Sequence, residues 1–129
     1  MKMRVIFTIV GVITATPALA LFWPRLLASS YGLADPDPMT TALLQHRGVL
    51  QAALGAAIIW GAFYRPARVP AAVTAIITKT AFLALTVVDG GMRADMNLIS
   101  LVFDPLAIVI LAVVVVLHFR EAPSTAAPA

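Results

Sequence analysis

Read along the chain, long uncharged apolar stretches alternate with short polar or basic breaks, and four such stretches stand out. Val5 to Trp23 carries no charge. Gly48 to Tyr64 carries none and extends backward toward Thr41, Val69 to Val88 carries only Lys79, and Met96 to Phe119 carries only Asp104. A helix needs about 20 mostly apolar residues to cross about 30 Å of hydrocarbon, so each stretch can span a bilayer. The pattern predicts an all-α, integral membrane four-helix bundle, with helices over approximately 4–24, 41–64, 69–88 and 96–119 in one domain of residues 1–120. The breaks are Arg25 to Thr41, the basic turn Tyr64-Arg65-Pro66-Ala67-Arg68, and Asp89 to Asp95. Connections this short predict antiparallel neighbours and an up-down topology. Pro17 predicts a kink in the first helix. Tyr31-Gly32 and Asp35-Pro36-Asp37-Pro38 read as turns, with Thr40 or Thr41 capping the second helix. Residues 121–129 contain Pro123 and Pro128 and no apolar periodicity, which predicts a disordered tail.

Composition strengthens the membrane reading. With 61% hydrophobic and 12% charged side chains in 129 residues, the apolar surface exceeds what one water-soluble core can hide. The formal charge of +3 is spread over isolated Lys and Arg residues, so no basic patch for nucleic acid forms. The absence of cysteine excludes disulfides, thiolate metal sites and thiol redox chemistry. Lys2, Arg4, Arg65, Arg68 and Arg120 fall on one side of the predicted bundle, against Arg25, Arg47 and Arg93 on the other. By the positive-inside rule both termini are therefore expected in the cytoplasm. Met1-Lys2-Met3-Arg4 followed by an apolar run and Ala18-Leu19-Ala20 also resembles a cleavable signal peptide, which would leave three spans. The apolar run continues through Leu21-Phe22-Trp23, with Trp23 placed as an interfacial anchor, and this favours a retained helix.

Chemistry is expected where charge enters the hydrocarbon, since an ionisable side chain at a helix centre costs about 2.5 to 3.5 kcal/mol on insertion scales. At about 1.5 Å of rise per residue, Lys79 and Asp104 both lie roughly 10 to 14 Å below the outer boundary, at one level. Asn97, Ser100 and Asp104 share a face of the fourth helix, and Arg47 and Gln51 share a face of the second. Together these predict a polar pocket in the outer half, built from Arg47, Gln51, Lys79, Asn97 and Asp104, with His46 as an auxiliary residue. The conservative reading is structural: Asp104 neutralises Lys79 or Arg47 and fixes which helix faces which. The sharper reading is a site where Lys79 and Arg47 meet an anionic or carbonyl-bearing amphiphile, such as a lipid headgroup or a quinone.

The remaining polar and small residues read more simply. His46 could carry a proton or ligate haem, but a lone interfacial histidine is adequately read as a headgroup-level polar residue. His118, beside Phe119 and Arg120, reads as an interface anchor, and histidines at opposite membrane faces cannot share a metal. Proline disfavours helix at the preceding residue, so Asp104-Pro105 raises the alternative of a broken fourth helix against a simple kink. Trp60 and Tyr64 read as an aromatic belt. Gly48, Ala52, Gly55 and Ala56 give the second helix a small-residue face that lets another helix approach closely, which suggests a homodimer.

The size, four spans, Trp23-Pro24, Tyr31-Gly32 and Gln45-His46-Arg47-Gly48 resemble the DoxX-like group of small bacterial membrane proteins over residues 5–119. That resemblance implies a bacterial cytoplasmic (inner) membrane location and, for some members, quinone-linked oxidation; it transfers no catalytic residue. Small multidrug resistance transporters are similar in length but carry a glutamate in their first helix, which this chain lacks. The membrane-associated eicosanoid and glutathione enzymes have an Arg, Asn and Glu set in their second helix, where this chain has Arg47 and Gln51 without the acid. The function expected is non-enzymatic: binding of a lipid or other hydrophobic ligand, or service as an accessory subunit of a larger membrane complex. The competing classes are a quinone-linked redox subunit or membrane enzyme, and a proton-coupled small-molecule transporter using Asp104. No cofactor is expected, a quinone being the one candidate. The expected partners are membrane lipids, a second copy or a larger membrane complex, and no nucleic acid.

Overall fold

A computed structural model of the chain describes residues 1–91 and 98–121, the side chains of 98–100 excepted. Its helices are α1 (Lys2–Ala15), α2 (Leu26–Tyr31), α3 (Pro38–Phe63), α4 (Arg65–Val88) and α5 (Leu98–Arg120), and no strand occurs among the described residues. Four helical segments, Lys2–Leu21, Pro38–Phe63, Arg65–Val88 and Leu101–Arg120, are long and apolar enough to cross a membrane. Asn97 and the tail residues 122–129 lie outside the described residues.

Local chemistry sets the element boundaries. Pro17 has no N–H to donate to the Ile13 carbonyl, and the chain tightens after Ala15 into a 3-10 turn over Thr16–Leu21. The Thr16 backbone N–H and its hydroxyl, at 2.7 Å, both donate to Ile13 instead. The connection read as turns contains α2, which ends where Gly32 adopts φ 68° and donates its N–H to the Ala28 carbonyl at 3.0 Å. The cap of α3 is Asp37 rather than Thr40 or Thr41, and the helix starts earlier than expected, with Pro38 in its first turn. The Asp37 carboxylate accepts from the Met39 N–H at 2.9 Å, the Thr40 N–H at 3.1 Å and the Thr40 hydroxyl. These bonds, the Thr40 side chain first, hold its pKa below the ordinary carboxylate value.

The basic turn also differs from expectation. Only Tyr64 is non-helical between α3 and α4; Arg65 and Pro66 already form the first turn of α4, where a missing N–H is harmless. Nor is the last helix broken at Asp104-Pro105, because α5 runs through both residues.

Packing inverts the pattern of a water-soluble protein. Val5, Ile9, Leu50, Ile77, Leu85 and Val109 are exposed, whereas Ala62, Ala72, Ala75 and Ala107 are fully buried with Phe7, Ile58 and Leu111. A surface this apolar is suited to lipid, and small interior residues let helix backbones approach. A Cβ on Gly55 would collide with the Gly11 carbonyl oxygen, and one on Gly48 would lie 2.8 Å from that of Pro17. Gly11 thus faces Gly55 and Pro17 faces Gly48, so α1 and α3 run in opposite directions. Those two glycines of the small-residue face are buried against the chain's own first span.

Candidate functional site

An ammonium and a carboxyl group that helical rise places at one level do meet. The Lys79 Nζ on α4 donates to Asp104 Oδ1 on α5 at 2.5 Å, and the two residues are 4% and 8% exposed. Lys79 Nζ also lies 5.0 Å from the centre of the Phe103 ring. Of the alternatives open to Asp104, Lys79 rather than Arg47 is its ion-pair partner. Removing two charges from water is costly, and mutual attraction with good geometry offsets that cost only while both partners remain.

Arg47 is held differently. Its guanidinium donates to the Tyr31 hydroxyl on α2, lies 4.2 Å from the centre of the Phe82 ring and 5.5 Å from that of Tyr31, and has no carboxylate partner among the described residues. One turn further along α3, Gln51 Oε1 is buried without a hydrogen-bond partner, and so is the hydroxyl of Thr14, a residue 2% exposed on α1. Leaving a buried polar atom unpaired costs about 1–3 kcal/mol, and native structures leave few.

These groups share one space. A cavity of about 300 Å³ is lined by Arg47, Gln51, Lys79, Asp104 and Thr14, with Tyr31 of α2 on its wall. That volume is at the lower end of ligand pockets and suits a headgroup or ring rather than a whole lipid. Leu27, fully buried, packs α2 against it, and the Gly48 contact with Pro17 brings the 3-10 turn to its other side. With Lys79 and Asp104 cancelling, Arg47 gives the lining one net positive charge.

Four of the five residues expected in the pocket therefore converge; the fifth, Asn97, lies outside the described residues. His46 is exposed and does not line the cavity. Thr14, Tyr31 and Phe103 join the lining without having been expected there. Thr14 has a legible signal: Phe7, Val10, Gly11 and Thr14 follow helical spacing, and all are buried. Tyr31 has none beyond its place before a glycine.

A buried arginine lies at the other end of the bundle. Arg68, which reads in the sequence as a topology charge, is 8% exposed; its Nε donates to the Gly61 carbonyl at 3.1 Å and its Nη2 to that of Ala62 at 3.4 Å. It satisfies carbonyls that α3 leaves free at its C-terminus, where a cation is also favoured by the helix dipole. Nearby, Trp60 and Tyr64 stack at 5.5 Å beside an apolar groove of about 380 Å³.

The chain matches no protein-family model, no curated protein and no solved structure. Its site has to be read from its own chemistry. No group of three metal-ligating side chains occurs among the described residues, and the described lining presents no nucleophile activated by a neighbouring base. What it offers is a cation, together with two lining residues that carry an unpaired amide oxygen and an unpaired hydroxyl.

Proposed function

We propose that this protein is a multi-pass membrane protein that binds a small anionic or carbonyl-bearing amphiphile, with the ligand's polar head in the cavity beside Arg47, Gln51 and the Lys79–Asp104 pair. The observation that carries this reading is the pair of orphaned polar atoms, Gln51 Oε1 and Thr14 Oγ1, on two residues that line a cavity whose remaining charges are already compensated or clamped. A ligand head with both an acceptor and a donor satisfies Arg47 and Gln51 together. Its apolar part rests against Ile13, Leu26 and Leu44, which also line the space.

The proposed orientation keeps both termini on the cytoplasmic side of a bacterial inner membrane, in up-down order. It is supported by exposed Lys2, Arg4, Arg65 and Arg120 at one end of the bundle. Arg47 leaves the opposing count, since it belongs to the site and not to a loop. A DoxX-like relationship is a proposal resting on the size, the four spans and the short motifs around Trp23, Tyr31 and Arg47.

A second reading, an accessory subunit whose buried charges only set helix register, is favoured by one observation: Lys79 and Asp104 satisfy each other. Native mass spectrometry of the protein extracted from its own membrane separates the two. The binding reading expects a defined small-molecule adduct on the wild type that is lost in the Gln51→Leu/Thr14→Val double variant. An adduct-free wild type, or one whose adduct survives those substitutions, supports the register reading instead.

A further inference from the structure

The cavity's charge and its unpaired atoms restrict the ligand further than "amphiphile", a restriction that rests on the binding reading proposed for this site. Arg47 is the one cation of the lining without a carboxylate partner among the described residues, so the lining has one positive charge to offer. A guanidinium recognises a carboxylate through two parallel hydrogen bonds, and a monoanion matches the single charge. A phosphate monoester, with about −1.5 to −2 charges at neutral pH, would leave an excess beside Asp104. Arg47 is meanwhile engaged by a neutral phenol, the Tyr31 hydroxyl, a weaker partner than a carboxylate.

Thr14 supplies the second constraint. It is 2% exposed, its hydroxyl is unpaired, and it lines the same cavity as the unpaired Gln51 Oε1. An amide oxygen that accepts and a hydroxyl that donates or accepts are both matched by a hydroxyl on the ligand. Gln51 is four residues from Arg47, about 6 Å along the helix axis, so that hydroxyl belongs near the head and not at the far end of an apolar chain.

We infer that the cavity selects a hydroxylated monocarboxylate amphiphile, whose carboxylate displaces the Tyr31 hydroxyl from Arg47 and whose hydroxyl pairs with Gln51 and Thr14. Tyr31 is then the competitor that holds Arg47 in the unliganded state, on a short helix that ends at the left-handed Gly32.

The test is titration calorimetry of the full chain in neutral-lipid nanodiscs, with empty discs subtracted, using octanoate, 3-hydroxyoctanoate, 1-octanol, octyl phosphate and octylammonium. Octanoate is expected to bind about tenfold tighter than octanol, the increment of one charge-assisted contact. 3-Hydroxyoctanoate binds several-fold tighter again, octyl phosphate binds more weakly than octanoate, and octylammonium does not bind. Arg47→Gln brings octanoate down to the level of octanol, and Thr14→Val removes only the hydroxyl increment. Should Arg47→Gln fail to fold, Tyr31→Phe serves instead: losing the competing hydroxyl raises octanoate affinity roughly two- to tenfold. Equal binding of octanoate, octanol and octylammonium overturns the inference while leaving amphiphile binding intact. Octyl phosphate binding as tightly as octanoate likewise overturns the carboxylate assignment. Failure of all five probes to bind above empty discs overturns both.

Discussion

Among the described residues, Arg68 is a buried arginine and Arg47 a half-buried one, and they are satisfied in opposite ways. Arg68 is bonded to the backbone carbonyls of Gly61 and Ala62, lies 5.8 Å from the Phe7 ring, and sits beside the alanine-rich core to which Phe7 belongs. Arg47 is bonded to one phenol, flanked by two rings, and borders a cavity with unpaired polar atoms. Carbonyls at a helix terminus cannot leave, whereas the hydroxyl of a short surface helix can. The first arrangement closes the fold, and the second leaves a cation that a ligand can claim.

The largest effect on this contrast is expected at the ion pair beside Arg47. Lys79→Met leaves Asp104 buried and unpaired, and should destabilise the protein by about 3–5 kcal/mol in equilibrium unfolding from mixed micelles. The Lys79→Met/Asp104→Leu double variant should recover most of that loss; a double variant as unstable as the single would show that the attraction between the two charges, and not the cost of an orphaned carboxylate, is what the single variant loses. Next comes the α1–α3 contact that supports both halves. Gly55→Ala places a methyl against the Gly11 carbonyl and the Ala15 side chain, and a loss of about 3 kcal/mol is expected by the same assay.

The two arginines themselves should then separate. Arg68→Ala orphans two helix-terminal carbonyls and is expected to cost about 1.5–3 kcal/mol, the range for hydrogen bonds to a charged group. Arg47→Gln should cost no more than about 1 kcal/mol, the scale of its cation–π contacts, while removing carboxylate binding. Equal stability losses in both variants would erase the distinction between them. The smallest effect concerns Asp37. Its carboxylate is more acidic folded than unfolded, so its contribution is present above the unfolded pKa and is lost as pH falls through the lower folded value. Unfolding measured over a series from neutral to strongly acidic pH should therefore show a slope that is weakened in Asp37→Asn.

How much of this is legible in the sequence depends on the range of each signal. Four spans emerge from runs of apolar residues, a signal that needs no tertiary information. The level match of Lys79 and Asp104 comes from counting helical rise, and the shared face of Arg47 and Gln51 from helical period. What stays hidden depends on contact between distant segments. The six residues of α2 are too few to announce a helix, so Tyr31 cannot be placed on Arg47 from sequence. Arg68 reads as a loop charge until Gly61 and Ala62 are brought to it. Asp37 escapes notice as a cap because Pro38 reads as part of a turn, although proline suits the first helical position. The small-residue face is legible and its occupant is not: the same glycines that would admit another chain admit α1.

If the cavity at Arg47 and Gln51 is built for a ligand, an experimental structure of the protein extracted gently from its own membrane will show it most directly. The expected result is density for a non-protein group within hydrogen-bonding distance of both Arg47 and Gln51, with Lys79 and Asp104 still paired beside it. A cavity that is collapsed, or that holds only ordered water bridging Gln51 and Thr14, would contradict a binding role.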